Sequence, residues 1–377
     1  MKIAYVTTYD SSDIHAWSGL GRHIRDCLEE AGCSVVGIGG LQQLPNKLTT
    51  FKQRFYRKLS RQYLLNRDPS ILQAYARQVE KQLQHIQPDL IFSPGTIPIA
   101  YLKTNFPIVF WTDSTFAGMV NYYPSFSGLC QETIRAGNRM EQQALSKAHL
   151  AIYASQWAAQ TAVAQYKVDP QKVKVLPFGA NIKSDRTLHN INNLLKAKDF
   201  STCKLLFCGV DWFRKGGDTA LNVAKALNQM GLPTELQVVG CEPPHEVPDF
   251  VKVYGFVSKK TEEGRKQLDQ LFSEAHFLIL PSRAECFGVV FAEAASFGLP
   301  SVSSNTGGIP TVNQDGKTGQ TFSLEDPPEA YARYIKSLMD SPQQYHQLAL
   351  SAFETFSQSF TWSVASQKML SLLQTVA

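Results

Sequence analysis

Short apolar segments alternate with helical segments along the chain, and this alternation is the strongest constraint on its fold. The apolar segments KIAYVTTY (2–9) and SVVGIGG (34–40) flank GLGRHIRDCLEEAG (19–32), in which Ile24 and Leu28 recur at helical spacing. Strand, loop and helix repeated in this order predict a parallel β-sheet with helices on both faces.

The alternation runs in two series separated by a polar stretch. Further strand candidates of the first series are 89–95, 107–113, 148–156 and 172–181, and those of the second series are 203–211, 235–241, 251–257, 275–282 and 300–305. We therefore predict an α/β protein with two doubly wound parallel-sheet domains. The predicted boundaries are a first domain at 1–178, a linker at 179–202, a second domain at 203–355, and a C-terminal helix at 356–377 that packs back toward the first domain. Ligands of open α/β sheets bind outside the carboxyl ends of the strands, so the site is expected in a cleft between the two sheets.

Composition narrows the functional classes. The 377 residues favour two domains, and 44% hydrophobic residues suffice for ordinary cores. The net charge of +5 is mild and does not indicate nucleic-acid binding. Seven cysteines without a C-x-x-C pair favour a reduced, cytoplasmic compartment. No apolar run approaches the roughly 18 residues that span a bilayer.

The stretch PSRAECFGVVFAEAASFGLPSVSSNTGG (281–308) carries two carboxylates in an apolar context. Glu285 precedes a helix predicted over 287–297, and Glu293 lies inside it. Gly288 at the first turn lets a ligand approach the free backbone N–H groups, which favour an anion. Burying a carboxylate without a partner is costly, and a hydroxyl-rich ligand would supply one. If no ligand binds here, Glu285 is a helix cap and Glu293 is solvated.

This stretch resembles the E-x7-E motif of the retaining glycosyltransferases of the GT-B type, family 4 or group 1. Five further motifs in the same order extend the resemblance: S-G-L-G (18–21), P-F-G-A-N (177–181), R-K-G-G-D (214–218), Y-G-F-V (254–257) and G-L-P…N-T-G-G (298–308). The resemblance implies two Rossmann-like domains, with the acceptor bound by the first and the nucleotide-sugar by the second.

The resemblance also assigns roles to individual residues. It implies that Glu293 binds the donor ribose and that Glu285 binds the transferred sugar. The N–H groups expected at the sugar and diphosphate are those of Phe287, Gly288, Val289 and Val290, and the base-pocket candidates are Gly255 and Phe256.

Two adjacent cations, Arg214 and Lys215, follow the first strand of the second domain. In the absence of a motif they would be two solvated surface charges. The family usually carries an arginine directly after the strand glycine, where this chain has Val210, and Arg214 is expected to supply the missing charge. Positive charge is needed because a nucleoside diphosphate leaves as an anion. The sequence has no D-x-D motif, so we predict transfer without a metal or other cofactor.

The first domain offers acceptor-side candidates. Gly19 and Gly21 form a turn that enters a helix and is expected to let donor phosphate or acceptor approach, and His15 and Trp17 border this turn. The missing third glycine argues against an NAD enzyme. Asp113 follows a strand and is a candidate to orient or deprotonate an acceptor hydroxyl, or is otherwise a turn or cap residue. Many relatives carry a histidine where this chain has Thr112, which obscures the acceptor chemistry.

Residues 47–67 form a basic amphipathic segment. Phe51, Phe55, Leu59 and Tyr63 share one helical face, and Lys52, Arg54, Arg57, Lys58 and Arg61 surround it. Two interpretations are open: a helix that covers the first sheet, or one that lies peripherally on an anionic membrane.

The predicted function is that of a retaining, metal-independent glycosyltransferase that moves a hexose from a UDP-, GDP- or ADP-sugar to a hydroxyl acceptor. In retaining transferases of this fold the resemblance implies front-face attack, with the leaving phosphate helping to accept the proton. Three alternatives are a sugar-nucleotide epimerase, a glycogen-type synthase or phosphorylase, and a silent sugar-nucleotide-binding protein. The chain is short for a glycogen-type synthase or phosphorylase. It also shows no pattern for the cofactor-binding lysine that a phosphorylase needs.

Overall fold

A computed structural model describes residues 1–13, 16–182 and 184–376. The chain divides into two compact units. The first unit comprises Met1–Phe178 and Trp362–Ala377, and the second comprises Gly179–Thr361.

The first unit is built on a six-stranded parallel sheet. Its strands are β1 (Lys2–Val6), β2 (Ser34–Ile38), β3 (Leu90–Ser93), β4 (Ile108–Thr112), β5 (Leu150–Tyr153) and β6 (Val173–Val175), in the order β2-β1-β3-β4-β5-β6. All residues of β3, β4 and β5 are buried, as expected for strands covered on both faces. Because the strands are parallel, the chain leaves β1, β3 and β4 at the same edge of the sheet.

This unit also contains α-helices, and several of them pack on the sheet through an apolar core. The helices are α1 (Leu20–Glu30), α2 (Lys47–Lys58), α3 (Pro69–Ile86), α4 (Phe116–Met119), α5 (Gln131–Lys147) and α6 (Gln156–Gln165). Short 3-10 helices lie at Ala16–Gly19, Leu65–Arg67, Pro124–Phe126 and Pro170–Lys172. In α1 the predicted core residues Ile24 and Leu28 are fully buried, and the chain leaves the helix through Gly32 at a φ of 81°.

The second unit repeats the design with a second parallel six-stranded sheet. Its strands are β7 (Cys203–Cys208), β8 (Thr234–Val239), β9 (Val251–Gly255), β10 (Phe277–Leu280), β11 (Ser301–Ser304) and β12 (Gly319–Phe322), in the order β12-β11-β10-β7-β8-β9. The fold class predicted from the alternation, two doubly wound parallel sheets, is confirmed.

The helices of the second unit follow its strands in sequence. They are α7 (Leu188–Lys196), α8 (Trp212–Lys215), α9 (Gly217–Gln229), α10 (Glu262–Glu274), α11 (Val289–Ala295), α12 (Ile309–Val312), α13 (Pro328–Met339) and α14 (Pro342–Ser359). The last helix of the chain, α15 (Trp362–Leu373), belongs to the first unit. There Ser366 Oγ donates a hydrogen bond to the carbonyl of Cys27 in α1 at 3.0 Å.

The segment expected to be a linker, 179–202, contains the helix α7 and is counted in the second unit. Thr187 and Asn190 form a reciprocal capping box that starts this helix. Ile191 and Leu195 are buried, four residues apart on one face. From its mostly polar sequence this segment is interpreted as a linker, although two buried apolar side chains are enough to pack this short helix.

None of the helices in the described ranges is both long and apolar enough to cross a membrane. All seven cysteines are free thiols, and Cys27 and Cys203 are buried while Cys208 is half-buried.

Candidate active site

Three side chains predicted from the sequence meet in the second unit. Lys215 Nζ pairs with Glu285 Oε2, and Arg214 Nη1 lies 3.6 Å from the same oxygen. The lysine and the glutamate are each only 8% exposed, so the interpretation of two solvated surface cations is wrong for Lys215. Two cations lie against one carboxylate in this cation cluster, which we define as Arg214, Lys215 and Glu285; a second carboxylate, that of Asp211, lies 3.5 Å from Arg214 Nε.

The helix α8 and the glycine after it position the two cations. Asp211 caps α8 by accepting a hydrogen bond from the Arg214 backbone N–H at 3.0 Å. Gly216 ends the helix at a φ of 78°, a left-handed conformation that favours glycine. A Cβ at Gly216 would lie 2.0 Å from the carbonyl oxygen of Pro281, at the end of β10. The glycine therefore lets α8 pack directly against the loop that carries Glu285.

Glu285 lies on the loop after β10, and hydrogen bonds to backbone carbonyls fix the position of this loop. The Gly308 N–H donates to the Glu285 carbonyl at 3.0 Å, and the Arg214 guanidinium donates to the Ala284 carbonyl at 3.1 Å. The loop that carries Glu285 is thus held by Arg214 of α8 and by Gly308 at the end of the same sequence stretch. The alternative that it merely caps the helix is not what the structure shows, since the cap position is Gly288 with no side-chain cap bond.

The helix after Glu285 is shorter than predicted. It spans seven residues, Val289–Ala295, instead of 287–297. It cannot begin earlier because Gly288 has a φ of 84°, outside the helical region. Phe287 is buried at 2% exposure, and Val289 and Val290 are half-buried. Whether the N–H groups of this segment bind the donor stays a prediction.

Glu293 is buried, but it has a protein partner that the sequence analysis missed. Its carboxylate is 3% exposed and pairs with Lys259 Nζ. Burial acts to lower the pKa of Lys259, but the Glu293 carboxylate outweighs it and holds this pKa above its usual value. The interpretation of a solvated Glu293 is therefore wrong, and a ligand is not needed to compensate its charge. The only local signal was a lysine two residues beyond Y-G-F-V.

The two base-pocket candidates lie at the end of β9. Gly255 ends the strand at a φ of 63°, and Phe256 beside it is 77% exposed. A large aromatic ring exposed to this extent is available for stacking. Their role in base recognition stays a prediction.

The first unit contains a cavity of about 360 Å³ at the carboxyl ends of β1, β3 and β4. Asp113 and Trp17 line it, and the indole N–H of Trp17 donates to Asp113 Oδ2 at 3.2 Å. Asp113 is not the helix cap, because Thr115 caps α4. The structure therefore places Asp113 in a ligand-sized cavity within its own unit.

The glycine turn has a packing role in the structure. Gly19 adopts a φ of 81° at the start of α1. A Cβ at Gly21 would lie 2.2 Å from the Tyr9 hydroxyl, and the Gly21 carbonyl accepts a hydrogen bond from Tyr5 at 2.6 Å. Donor binding by the two glycines stays a prediction, and His15 lies outside the described residues.

Family models match both units. Residues 17–184 match the model described as Glycosyltransferase Family 4, and residues 202–341 match the one described as Glycosyl transferases group 1. The chain belongs to this glycosyltransferase family. The family 4 resemblance predicted from the motifs is thereby confirmed.

Individual relatives of this family 4 member are distant. A D-inositol 3-phosphate glycosyltransferase of Corynebacterium diphtheriae is 25% identical over 71% of this chain and 65% of its own length. The chain therefore spans a little less than two thirds of that relative.

Solved glycosyltransferase structures share the GT-B fold of this family 4 member. Sucrose-phosphate synthase from Thermosynechococcus elongatus matches with a TM-score of 0.72 and 19% identity, over 100% of this chain and 98% of that chain. Anabaena HepE in complex with UDP matches with a TM-score of 0.67 and 18% identity over 100% of both chains. At this identity the likeness shows the fold alone.

Proposed function

We propose that the chain is a retaining glycosyltransferase that moves a hexose from a nucleoside-diphosphate sugar to an acceptor hydroxyl. The observation that carries the proposal is the cation cluster, in which Arg214 and Lys215 converge on the buried carboxylate of Glu285. Membership of the family and the UDP complex of the Anabaena neighbour support a nucleotide-sugar donor.

The proposed reaction balances without an added reagent. The bond between the sugar anomeric carbon and the diphosphate oxygen breaks, and the acceptor oxygen forms a new bond on the same face. The acceptor proton goes to the departing phosphate, and Arg214 and Lys215 stabilise the negative charge that develops there. Glu285 accepts hydrogen bonds from the sugar hydroxyls, Glu293 holds the ribose, and Asp113 orients the acceptor hydroxyl.

We further propose that the transfer needs no metal ion. Protein cations placed at the leaving group provide the charge stabilisation that other transferases obtain from a bound cation. No cluster of three or more His, Cys, Asp or Glu side chains able to hold a metal lies within residues 1–13, 16–182 and 184–376.

A thermal-shift panel of UDP-, GDP- and ADP-hexoses in excess EDTA tests the function. We expect one donor to raise the unfolding temperature, because a ligand present at 100 times its Kd stabilises the folded state by about 2.7 kcal/mol. The same donor should be consumed by transfer in EDTA. An epimerase would instead yield an epimerised sugar nucleotide without any acceptor, and a silent binding protein would bind without turnover. Activity lost in EDTA and restored by Mg²⁺ or Mn²⁺ would contradict metal independence.

The amphipathic segment supports peripheral membrane contact as a second proposal. The apolar face of α2 does not cover the sheet as one interpretation predicted, since Leu48, Phe51, Phe55 and Leu59 are 60%, 64%, 46% and 56% exposed. Tyr63 is buried and lies beyond the end of the helix. The interpretation as a sheet-covering helix is therefore wrong for this face.

Charges around this face suit an anionic surface. Lys52 is tied to Glu132, but Arg54, Arg57, Lys58 and Arg61 are exposed. Each cation near an anionic leaflet contributes about 1 kcal/mol. We propose that α2 lies on an anionic membrane with Phe51 and Phe55 inserted at the headgroup level.

Co-sedimentation with liposomes tests this contact. The protein should pellet with anionic but not with neutral vesicles, and the double variant Phe51→Ser, Phe55→Ser should remain in the supernatant. The matched control is Leu324→Ser, which removes a side chain that is 54% exposed in the second unit. Equal sedimentation with both kinds of vesicle, or none with either, would rule the contact out.

A further inference from the structure

The cavity of the first unit contains a buried cation that the proposed reaction does not use. Arg67 closes the 3-10 helix Leu65–Arg67 and lines the cavity together with Asp113. From this cation we propose that the cavity binds an anionic group, a phosphate or a carboxylate, carried by the acceptor. This inference rests on the proposed function and specifies the substrate class of its acceptor side.

The hydrogen-bonding state of Arg67 is the first observation. The residue is 9% exposed, and its Nε and Nη1 atoms are buried without a hydrogen-bond partner. Among the residues that the structure describes, Arg67 forms no salt bridge, and the Glu141 carboxylate acts on it through Coulomb interaction. A guanidinium carries five N–H donors in a planar fork that matches carboxylate and phosphate oxygens. A buried cation with unused donors is costly unless an anion meets it.

Two aromatic rings fix the orientation of this guanidinium. Its central carbon lies 5.5 Å from the ring centroid of Phe116 and 5.7 Å from that of Phe126. Both rings also line the cavity. Contacts of this kind hold the planar group in place but leave its N–H edge unsatisfied. The side chain is therefore ordered for binding before a ligand arrives.

The neighbouring carboxyl of Glu141 does not fully neutralise Arg67. Glu141 is 2% exposed, and its Oε2 accepts a hydrogen bond from Thr96 at 2.7 Å while its Oε1 has no hydrogen-bond partner. Burial raises the pKa of the Glu141 carboxyl to about 7, against the lowering effects of Thr96 and Arg67. Burial lowers the pKa of Arg67 to about 10, so the guanidinium stays protonated at neutral pH. Because Glu141 is partly protonated at neutral pH, it compensates the charge of Arg67 only in part, and an anionic ligand would supply the rest.

The remaining wall suits a small hydroxylated molecule. Thr96, Thr112, Ser114 and Asp113 offer hydroxyl and carboxylate groups on the cavity wall. Tyr9 also lines the cavity, and its buried hydroxyl has no hydrogen-bond partner. A volume of about 360 Å³ falls within the range of small-molecule sites. The cavity thus combines groups for several hydroxyls with one cation for a single anionic group.

The competing explanation is that Arg67 is a structural residue that only stabilises the fold around Phe116, Phe126 and Glu141. This explanation predicts that phosphate stabilises the protein no more than another salt does at the same ionic strength. The two explanations differ in the response of folded protein to an anionic probe.

The test is a thermal shift and a calorimetric titration with inorganic phosphate and with glucose 6-phosphate, at constant ionic strength. Saturating UDP is present so that the donor site is occupied, and neutral glucose is the comparison ligand. We expect both phosphates to raise the unfolding temperature of the wild type and glucose to do so far less. Arg67→Met, which keeps an apolar stem between the rings, should bind the phosphates at least about tenfold more weakly.

Two further variants keep the test decisive if Arg67→Met is unstable. Glu141→Gln keeps the acceptor for Thr96 but removes the neighbouring carboxylate, so we expect phosphate to bind about threefold or more tightly. Leu324→Ser, which changes an exposed side chain of the second unit outside both proposed sites, should leave phosphate binding unchanged. The proposal would be overturned if wild type, Arg67→Met and Glu141→Gln bound phosphate with equal affinity. Equal thermal shifts with glucose and glucose 6-phosphate would also overturn it. UDP alone is titrated into the wild type in parallel, so failure of the proposed donor binding is seen separately from failure of phosphate binding.

Discussion

Replacing Glu285 with glutamine is expected to reduce sugar transfer by a factor of about 10²–10³ while UDP binding is retained. Glutamine keeps the size of the side chain but removes the charge that pairs with Lys215 and lies 3.6 Å from Arg214. The sugar hydroxyls lose an anionic acceptor whose contribution is greatest in the transition state. Loss of the Glu285 charge makes the surroundings of Arg214 and Lys215 more positive, which favours the diphosphate of UDP. Steady-state transfer rates and calorimetric titration with UDP measure the two quantities.

The matched variant is Glu293→Ala, which should act on binding instead of turnover. Glu293 is buried and paired with Lys259, so its removal leaves that lysine without its carboxylate and removes the proposed ribose contact. We expect a donor Kd about tenfold higher or more, with a smaller effect on the rate at saturating donor. If both variants have wild-type rates and affinities, the active site lies elsewhere. Unfolding temperatures of both variants with UDP show whether the fold is retained.

Replacing Gly216 with alanine is expected to destabilise the second unit by about 3 kcal/mol or more. Gly216 has a φ of 78°, and left-handed backbone costs a non-glycine residue about 1 kcal/mol. In addition, the new Cβ would lie 2.0 Å from the Pro281 carbonyl oxygen, so α8 and the end of β10 must separate. Such a shift also moves Lys215 away from Glu285, and we expect transfer activity to fall with stability.

Gly231→Ala is the matched control for this substitution. Gly231 follows α9 with a φ of 79°, and a Cβ there would meet nothing within 4 Å. The control therefore carries the backbone strain without the clash, and its loss should be about 1 kcal/mol. Urea-unfolding midpoints compare the two variants. Equal midpoints would show that contact with Pro281 does not fix the position of α8.

Much of the fold was predictable because strands and helices are local patterns. The strands β1, β4 and β10 are continuous apolar runs bounded by turns, and the structure places each within its predicted range. The helix α1 was predicted from two apolar residues four positions apart. The glycines bounded α1 correctly, but α11 begins later than predicted because Gly288 has a left-handed backbone that the sequence does not specify.

Part of the candidate site was predictable for a similar reason. Arg214, Lys215 and Glu285 belong to motifs that each follow a strand end, so the topology of a parallel sheet brings them to one edge. Lys259 lies outside the motifs, and Arg67 is the last residue of the basic segment 47–67, where the sequence does not distinguish it from the other cations. Their importance depends on what surrounds them, a buried carboxylate for Lys259 and two rings with unused donors for Arg67.

The sequence by itself determined the two series of parallel strands, the family and the positions of the paired glutamates, since periodicity and motif spacing act over a few residues. Tertiary structure alone decided that Glu293 is charge-compensated by Lys259, that the apolar face of α2 is exposed, and that Arg67 lies buried beside Glu141. Burial and charge pairing are properties of groups that the folded chain brings together from distant positions. The physical reason is that desolvation and Coulomb interaction depend on distance in space, which the order of residues does not contain.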